Sequence, residues 1–206
     1  MRRWPVFGAV ALALALIAAV ALSAGDWGGR AATHLPCRRN FGWLPSYLPR
    51  SSPTRSLVFE VGATRVKVCS GQPRLRGGRM IGGTPVPYGR LWRTGANEPT
   101  TIRTSGPLVV AGLDVPAGKV ALYTVPGPQT WEVILNRSTA QWGLESEYSP
   151  EVRSAEIGRA IATVGRVEDP VEALRFRAEP DSAGHVDLVL EWEHSRLRIQ
   201  VQEPVR

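Results

Sequence analysis

Glycine and proline interrupt this chain so often that, beyond one stretch at its beginning, hardly any window can hold a long helix: 21 Gly and 17 Pro are spread over 206 residues. The bulk is therefore expected to be β. A hydrophobic share of 43% with 21% charged residues suits a single packed domain with appendages, and excludes a disordered or collagen-like chain. Between the breakers lie alternating runs. Leu57 to Val61 and Arg65 to Cys69 flank Gly62-Ala63-Thr64 and read as a hairpin. Leu108 to Ala111, Lys119 to Val125 and Trp131 to Asn136 follow, separated by the turn residues Pro116-Ala117-Gly118 and Pro126-Gly127-Pro128. Ser149-Pro150-Glu151 opens a short helical turn near 150 to 154, with a strand after it and another through Leu174 to Ala178. About nine short strands predict an antiparallel β-sandwich or barrel-like domain over residues 57 to 206.

At the C-terminus the pattern predicts a second hairpin with its loop at His194-Ser195. Glu193 then faces Arg196 and Glu191 faces Arg198 on one side, while Trp192, Leu190 and Leu188 meet Leu197, Ile199 and Val201 on the other. On this reading Glu191, Glu193 and His194 are structural and not an acid/base or metal cluster.

The exception to the breaker pattern is the leader. After Met1-Arg2-Arg3, the 22 residues from Trp4 to Gly25 carry no charge, enough to span a bilayer core as one transmembrane or signal helix. Ala21-Leu22-Ser23 offers a cleavage site, and Gly25 stands where a lipoprotein signal needs Cys. The apolar run is longer than a usual signal core, so a retained single-pass anchor in a bacterial cell membrane, with the domain outside the cytoplasm, is favoured. Cleavage near Ser23, leaving a secreted or periplasmic protein, is the alternative.

Residues 26 to 56 read as a Pro/Arg-rich linker, with Phe41 to Leu48 suited either to the membrane interface or to packing on the domain. Charge is split along the chain. Asp26 to Asn97 holds 12 basic and 2 acidic residues, and Glu98 to Arg206 holds 11 basic and 16 acidic. The net +7 therefore points to anionic lipid headgroups near the 30 to 93 region, next to the membrane-entering residues 4 to 25, and not to nucleic acid. In an oxidising compartment Cys37 and Cys69 can form a disulfide.

Gly77 to Thr84 imitates a phosphate-binding loop, but Gly83 stands where the lysine is needed, and Pro85 and Pro87 forbid the following helix. Three isolated histidines (His34, His185, His194) and two cysteines give no metal set, and no cofactor is implied. Asn136-Arg137-Ser138 fits a glycosylation acceptor. The loop that mixes most chemistry is Pro87 to Thr101. Arg93 supplies a planar fork of donors, Asn97 a donor and an acceptor and Glu98 an acceptor, beside the rings of Tyr88 and Trp92 and the hydroxyl of Thr100. The same residues also suit a self-contained lock in which Arg93 pairs with Glu98 and Asn97 caps a turn at Gly95.

This loop, Val86-Pro87-Tyr88-Gly89-Arg90-Leu91-Trp92-Arg93-Thr94-Gly95-Ala96-Asn97-Glu98 with Thr100-Thr101, resembles the bacterial domain-of-unknown-function family 2911. So do Val115 to Lys119, Leu122 to Pro126, Trp131 to Asn136 and Gln141-Trp142-Gly143, so that the resemblance covers Val66 to Gln202. Cys69, where members often carry an aromatic residue, and the insertion-like Glu145 to Ser154 depart from it. The resemblance implies an exported β domain and no particular activity. It marks Arg93, Asn97, Glu98, Thr100 and Trp142 as a shared site or a shared lock. Three functions are therefore weighed. One is binding of a polar ligand or an envelope partner through the 88 to 101 loop. The alternatives are an envelope hydrolase using Glu98 with Arg93 or Asn97, and a purely structural envelope protein.

Overall fold

The computed structural model describes residues 33–37, 52–181 and 184–205. The leader at 4 to 25, the cleavage position near Ser23 and the aromatic stretch 41 to 48 lie outside the described residues. Among the described residues no helix is long and apolar enough to cross a membrane.

The described residues form nine strands: β1 (Thr54–Val61), β2 (Thr64–Gly71), β3 (Thr100–Thr104), β4 (Leu108–Val110), β5 (Leu113–Val115), β6 (Gly118–Val125), β7 (Thr130–Asn136), β8 (Glu156–Pro180) and β9 (Val186–Gln202). They form one open antiparallel sheet in the order β1-β2-β3-β6-β7-β8-β9-β4-β5. β1 and β2 meet in the hairpin expected at Gly62-Ala63, with Val61 opposite Thr64. The helical turn expected after Ser149 is also found, as Pro150–Ser154, with the Ser149 hydroxyl accepting from the Val152 N–H.

β8 and β9 are not short. β8 runs for 25 residues and pairs with β7 up to Thr163 and with β9 from Val164 onward. One strand thus belongs to both halves of the sheet. β1 approaches β8 and β9, so the sheet wraps around its own apolar face. That face gathers Val66 and Val68 of β2, Ile102 of β3, Leu122 of β6 and Val133 and Leu135 of β7 against Leu188, Leu190, Trp192, Leu197, Ile199 and Val201 of β9. Each buried side chain of this size contributes roughly 1.5–3 kcal/mol.

The C-terminal hairpin is corrected. Val186–Gln202 is one strand, and no turn occurs at His194-Ser195. Its partner is β8, with Val164 opposite Leu197, Arg166 opposite Ser195 and Val171 opposite Glu193. The register breaks between Arg166 and Val171 and again between Val171 and Arg175, where β8 carries extra residues, and Glu193 of β9, facing the break, has a φ of 52° in the left-handed region. A hairpin and a bulge both invert the in-out alternation, which is why the buried set changes from even numbers at Leu188, Leu190 and Trp192 to odd numbers at Leu197, Ile199 and Val201. The faces follow the expected division while the partners do not. Glu191 is buried and binds Arg175 and Arg177 at 2.8 and 2.9 Å, with Arg196 at 3.4 Å. Arg198 goes to Glu179 and Asp187.

Asn136 is also buried. Its amide donates to the Tyr148 hydroxyl at 3.0 Å and to the Val152 carbonyl at 2.7 Å, so it cannot accept a glycan in the folded state. Cys37 and Cys69 are joined in a disulfide, which brings residues 33–37 beside β2. Lys67 Nζ donates to the Leu35 carbonyl there.

Because Glu191 is the shared acceptor of three arginines that can rehydrate once released, Glu191→Ala is expected to lower stability by about 2–3 kcal/mol. The shift in urea midpoint of the full-length chain measures it.

Candidate functional site

The segment from Trp92 to Thr101 is held by its own backbone. Trp92 exchanges two hydrogen bonds with Thr124, Trp92 N–H to Thr124 O at 2.8 Å and Thr124 N–H to Trp92 O at 2.9 Å, extending the pairing on β6 by one bridge. The chain then turns back, and Thr100 N–H donates to Arg93 O at 3.0 Å. Inside this loop the Trp92 indole N–H donates to Gly95 O, and the Thr100 hydroxyl to Thr94 O. The Thr94 and Thr124 hydroxyls lie 3.1 Å apart. Thr94 and Asn97 adopt φ of 53° and 66°. A β-branched residue in that region is an outlier, and buried hydroxyl contacts hold it there. Asn97 Nδ2 donates to Ser52 O at 3.0 Å. The loop docks against the end of β2, where Ala96 N–H meets Gly71 O; a Cβ on Gly71 would fall 2.0 Å from the Ala96 carbonyl oxygen.

Of the loop residues singled out from the sequence, Trp92, Asn97 and Thr100 thus serve the lock. The Trp92 ring stacks on Trp192 at 5.8 Å and meets Trp131 edge-on at 5.9 Å. Glu98 lines a crevice of only about 20 Å³ with Thr101, Lys119 and the disulfide. Glu98 and Arg93 therefore line different spaces.

Arg93 behaves differently. Its guanidinium lies 5.5 Å from the Trp142 ring and donates to Trp142 O at 3.2 Å. No carboxylate stands within ion-pair distance of it among the described residues, so the expected Arg93–Glu98 pair is absent. Burial pulls its pKa below the ordinary arginine value, opposed by the more distant charges of Glu147 and Glu98 and by Tyr123. Arg93 lines a groove of about 260 Å³ between Leu91 and Trp92 on one side, Met80 and Val86 on another, and Gly143 to Glu145, with Trp192 in its wall. Glu145 in this groove is engaged by Arg90.

Tyr88, the first of the singled-out residues, belongs to a separate cleft. This space of about 510 Å³ lies across the 80 to 86 loop and is lined by Arg79, Tyr88, Arg166, Glu172, Glu193 and His194. Arg79, Arg166, Glu172 and His194 were not legible as a set. They come from three parts of the chain that meet only through the β8–β9 register, and the sole local signal was the change of parity after Trp192. Glu193 is spent on structure, accepting from Met80 N–H and Ile81 N–H, both at 2.8 Å. Among the described residues no group of His, Cys, Asp and Glu is arranged to hold a metal ion.

On the opposite face of the sheet Tyr123, Ala121 and Ile134 form a smaller cluster. The Tyr123 hydroxyl accepts from Gln141 Nε2 at 2.7 Å, and burial pushes its pKa up to about 12. The 138 to 142 segment that carries Trp142 is anchored in this way.

Compared with known proteins, residues 52–201 match the family described as "Protein of unknown function (DUF2911)". No curated protein and no solved structure matches the chain.

Gly71→Ala should separate the loop from β2 and cost at least about 3 kcal/mol, read from the denaturant midpoint. For Tyr123 the raised pKa means that its share of stability is present below the unfolded value near 10 and is lost as pH rises through about 12. Alkaline titration of unfolding should show this loss, up to roughly 2–3 kcal/mol, and Tyr123→Phe should remove it.

Proposed function

The chain belongs to the family of proteins of unknown function DUF2911, and from its own geometry we propose that it is a binding domain whose groove beside Arg93 takes a small carboxylate with an apolar body. The observation that carries this reading is the state of the Arg93 guanidinium. It is half-buried, makes one hydrogen bond of the five its N–H groups allow, and has no ion-pair partner among the described residues. Partial burial disfavours the charged form, the more distant Glu147 and Glu98 offset this only in part, and a bound anion relieves the remainder. The groove supplies the complementary surface, since Leu91, Trp92, Val86 and Trp192 are apolar and about 260 Å³ accommodates roughly nine water-sized groups. The hydrolase reading is weaker, because Asn97 is engaged by Ser52 O and Glu98 lines the crevice by the disulfide.

The setting is part of the same proposal. We read the leader as an anchor that holds a folded-over β-sandwich outside the cytoplasm of a bacterial cell, with the basic half of the chain against anionic headgroups. The 4 to 25 apolar run and the charge split support this.

Benzoate is a suitable probe, with one carboxylate on a flat ring. Tryptophan fluorescence of the full-length chain in detergent should titrate saturably with benzoate. Arg93→Gln should weaken binding at least about tenfold, and Arg93→Lys should restore only part of it, because an ammonium cannot form the forked pair. Absence of a saturable signal, or equal affinity in Arg93→Gln, would overturn the reading.

A further inference from the structure

We infer that the cleft on the other side of the 80 to 86 loop is a second site, which binds a tetrahedral oxyanion of the phosphate or sulfate class. It rests on residues that the Arg93 groove does not use.

His194 lies on β9 opposite the β8 bulge, between Ser195, which pairs with Arg166, and Glu193, which pairs with Val171. Its Nδ1 lies 3.0 Å from the Val167 carbonyl. Only an N–H can satisfy a carbonyl, so the neutral ring carries its proton on Nδ1 and keeps its lone pair at Nε2. Nε2 has no partner among the described residues. A second proton there turns the ring into a donor. The left-handed φ of 52° at Glu193 is what aims the following residue out of the alternating pattern, and such strain in a non-glycine residue concentrates at functional positions. The strain is held by the Glu193 carboxylate, which is clamped on the backbone amides of Met80 and Ile81.

Two guanidiniums share the cleft. Arg79 is pre-oriented: its Nε donates to Ile81 O at 3.0 Å and its guanidinium packs against the Tyr88 ring at 5.8 Å. Gly82 makes this approach possible, since a Cβ there would lie 2.6 Å from the Tyr88 ring and 2.7 Å from Arg79 Nη2. The Arg166 side chain makes no hydrogen bond or ion pair among the described residues, and its donors are unspent. Donors therefore come from three elements, the 77 to 88 loop, β8 and β9. A carboxylate presents its acceptors in one plane, whereas a tetrahedral oxyanion directs oxygens toward donors that converge from three directions.

The charged groups facing His194 are Arg79, Arg166, Glu172 and its neighbour Glu193, with Glu168 and Asp169 flanking Val167 on the β8 bulge. The four cleft charges balance, and Glu172 opposes the anion.

Inorganic sulfate tests this. Calorimetric titration of the full-length chain in detergent, at fixed ionic strength, should show saturable binding. His194→Gln should weaken it, and Glu172→Gln should tighten it. Arg166→Gln, whose side chain holds nothing in place, should weaken binding about tenfold without altering the urea midpoint. Displacement of sulfate by glycerol 3-phosphate marks a soluble ester as the natural source, and displacement only by vesicles containing phosphatidate marks a lipid headgroup. No saturable binding, or wild-type affinity in the Arg79→Gln/Arg166→Gln double variant, would overturn the inference.

Discussion

The stacked contact between Trp92 and Trp192, 5.8 Å apart with rings inclined by 18°, is the interaction on which the rest of the molecule depends. Trp92 belongs to an irregular loop bridged to β6, whereas Trp192 sits on β9, in the other half of the sheet. Trp131 of β7 closes the cluster from the side. Aromatic pairs at these distances add about 0.5–1.5 kcal/mol beyond the area they bury. Their larger effect here is positional. With the two indoles locked, Arg93 must leave the loop on the groove side, and Glu193 and His194 must leave β9 on the cleft side. The 80 to 86 loop, pinned by Glu193, then separates the two spaces.

The fold was legible wherever one element could be read by itself. Gly62-Ala63 between two alternating runs marked the β1–β2 hairpin, and Ser149-Pro150 marked the short helix. What failed was the partner of a strand. Trp192 and Leu197 both point into the core with an even and an odd number, and that inversion is the same for a tight turn as for a bulge. The choice between them was made by β8, whose 25 residues supply the pairing partner for β9 between Val186 and Leu197. No local pattern carries that information, because the pairing joins residues far apart in the chain. The misassigned partners followed directly: Glu191 meets Arg175 and Arg177 instead of Arg198.

The loop from Tyr88 to Thr101 held both meanings that its composition allowed, divided residue by residue. Trp92, Thr94, Asn97 and Thr100 close it on itself and on Gly71, as a lock requires. Arg93 does not take part. A lock that needed Arg93 would pair it with Glu98, and the side chain is instead packed over Trp142 with most of its donors unused. The sequence shows that an arginine is present; only the fold shows that it is half-buried with no carboxylate at ion-pair distance among the described residues. In the same way His194 looked like a turn residue until the register placed it beside Arg79 and Arg166.

The central claim is that Arg93 is an unsatisfied cation waiting for an anion. The most direct measurement is a crystal structure of the protein grown with saturating benzoate. The account predicts difference density in the groove, with the carboxylate at hydrogen-bond distance from the Arg93 guanidinium and the ring against Trp92 or Leu91. An empty groove with Arg93 turned into an ion pair with Glu98 would contradict it.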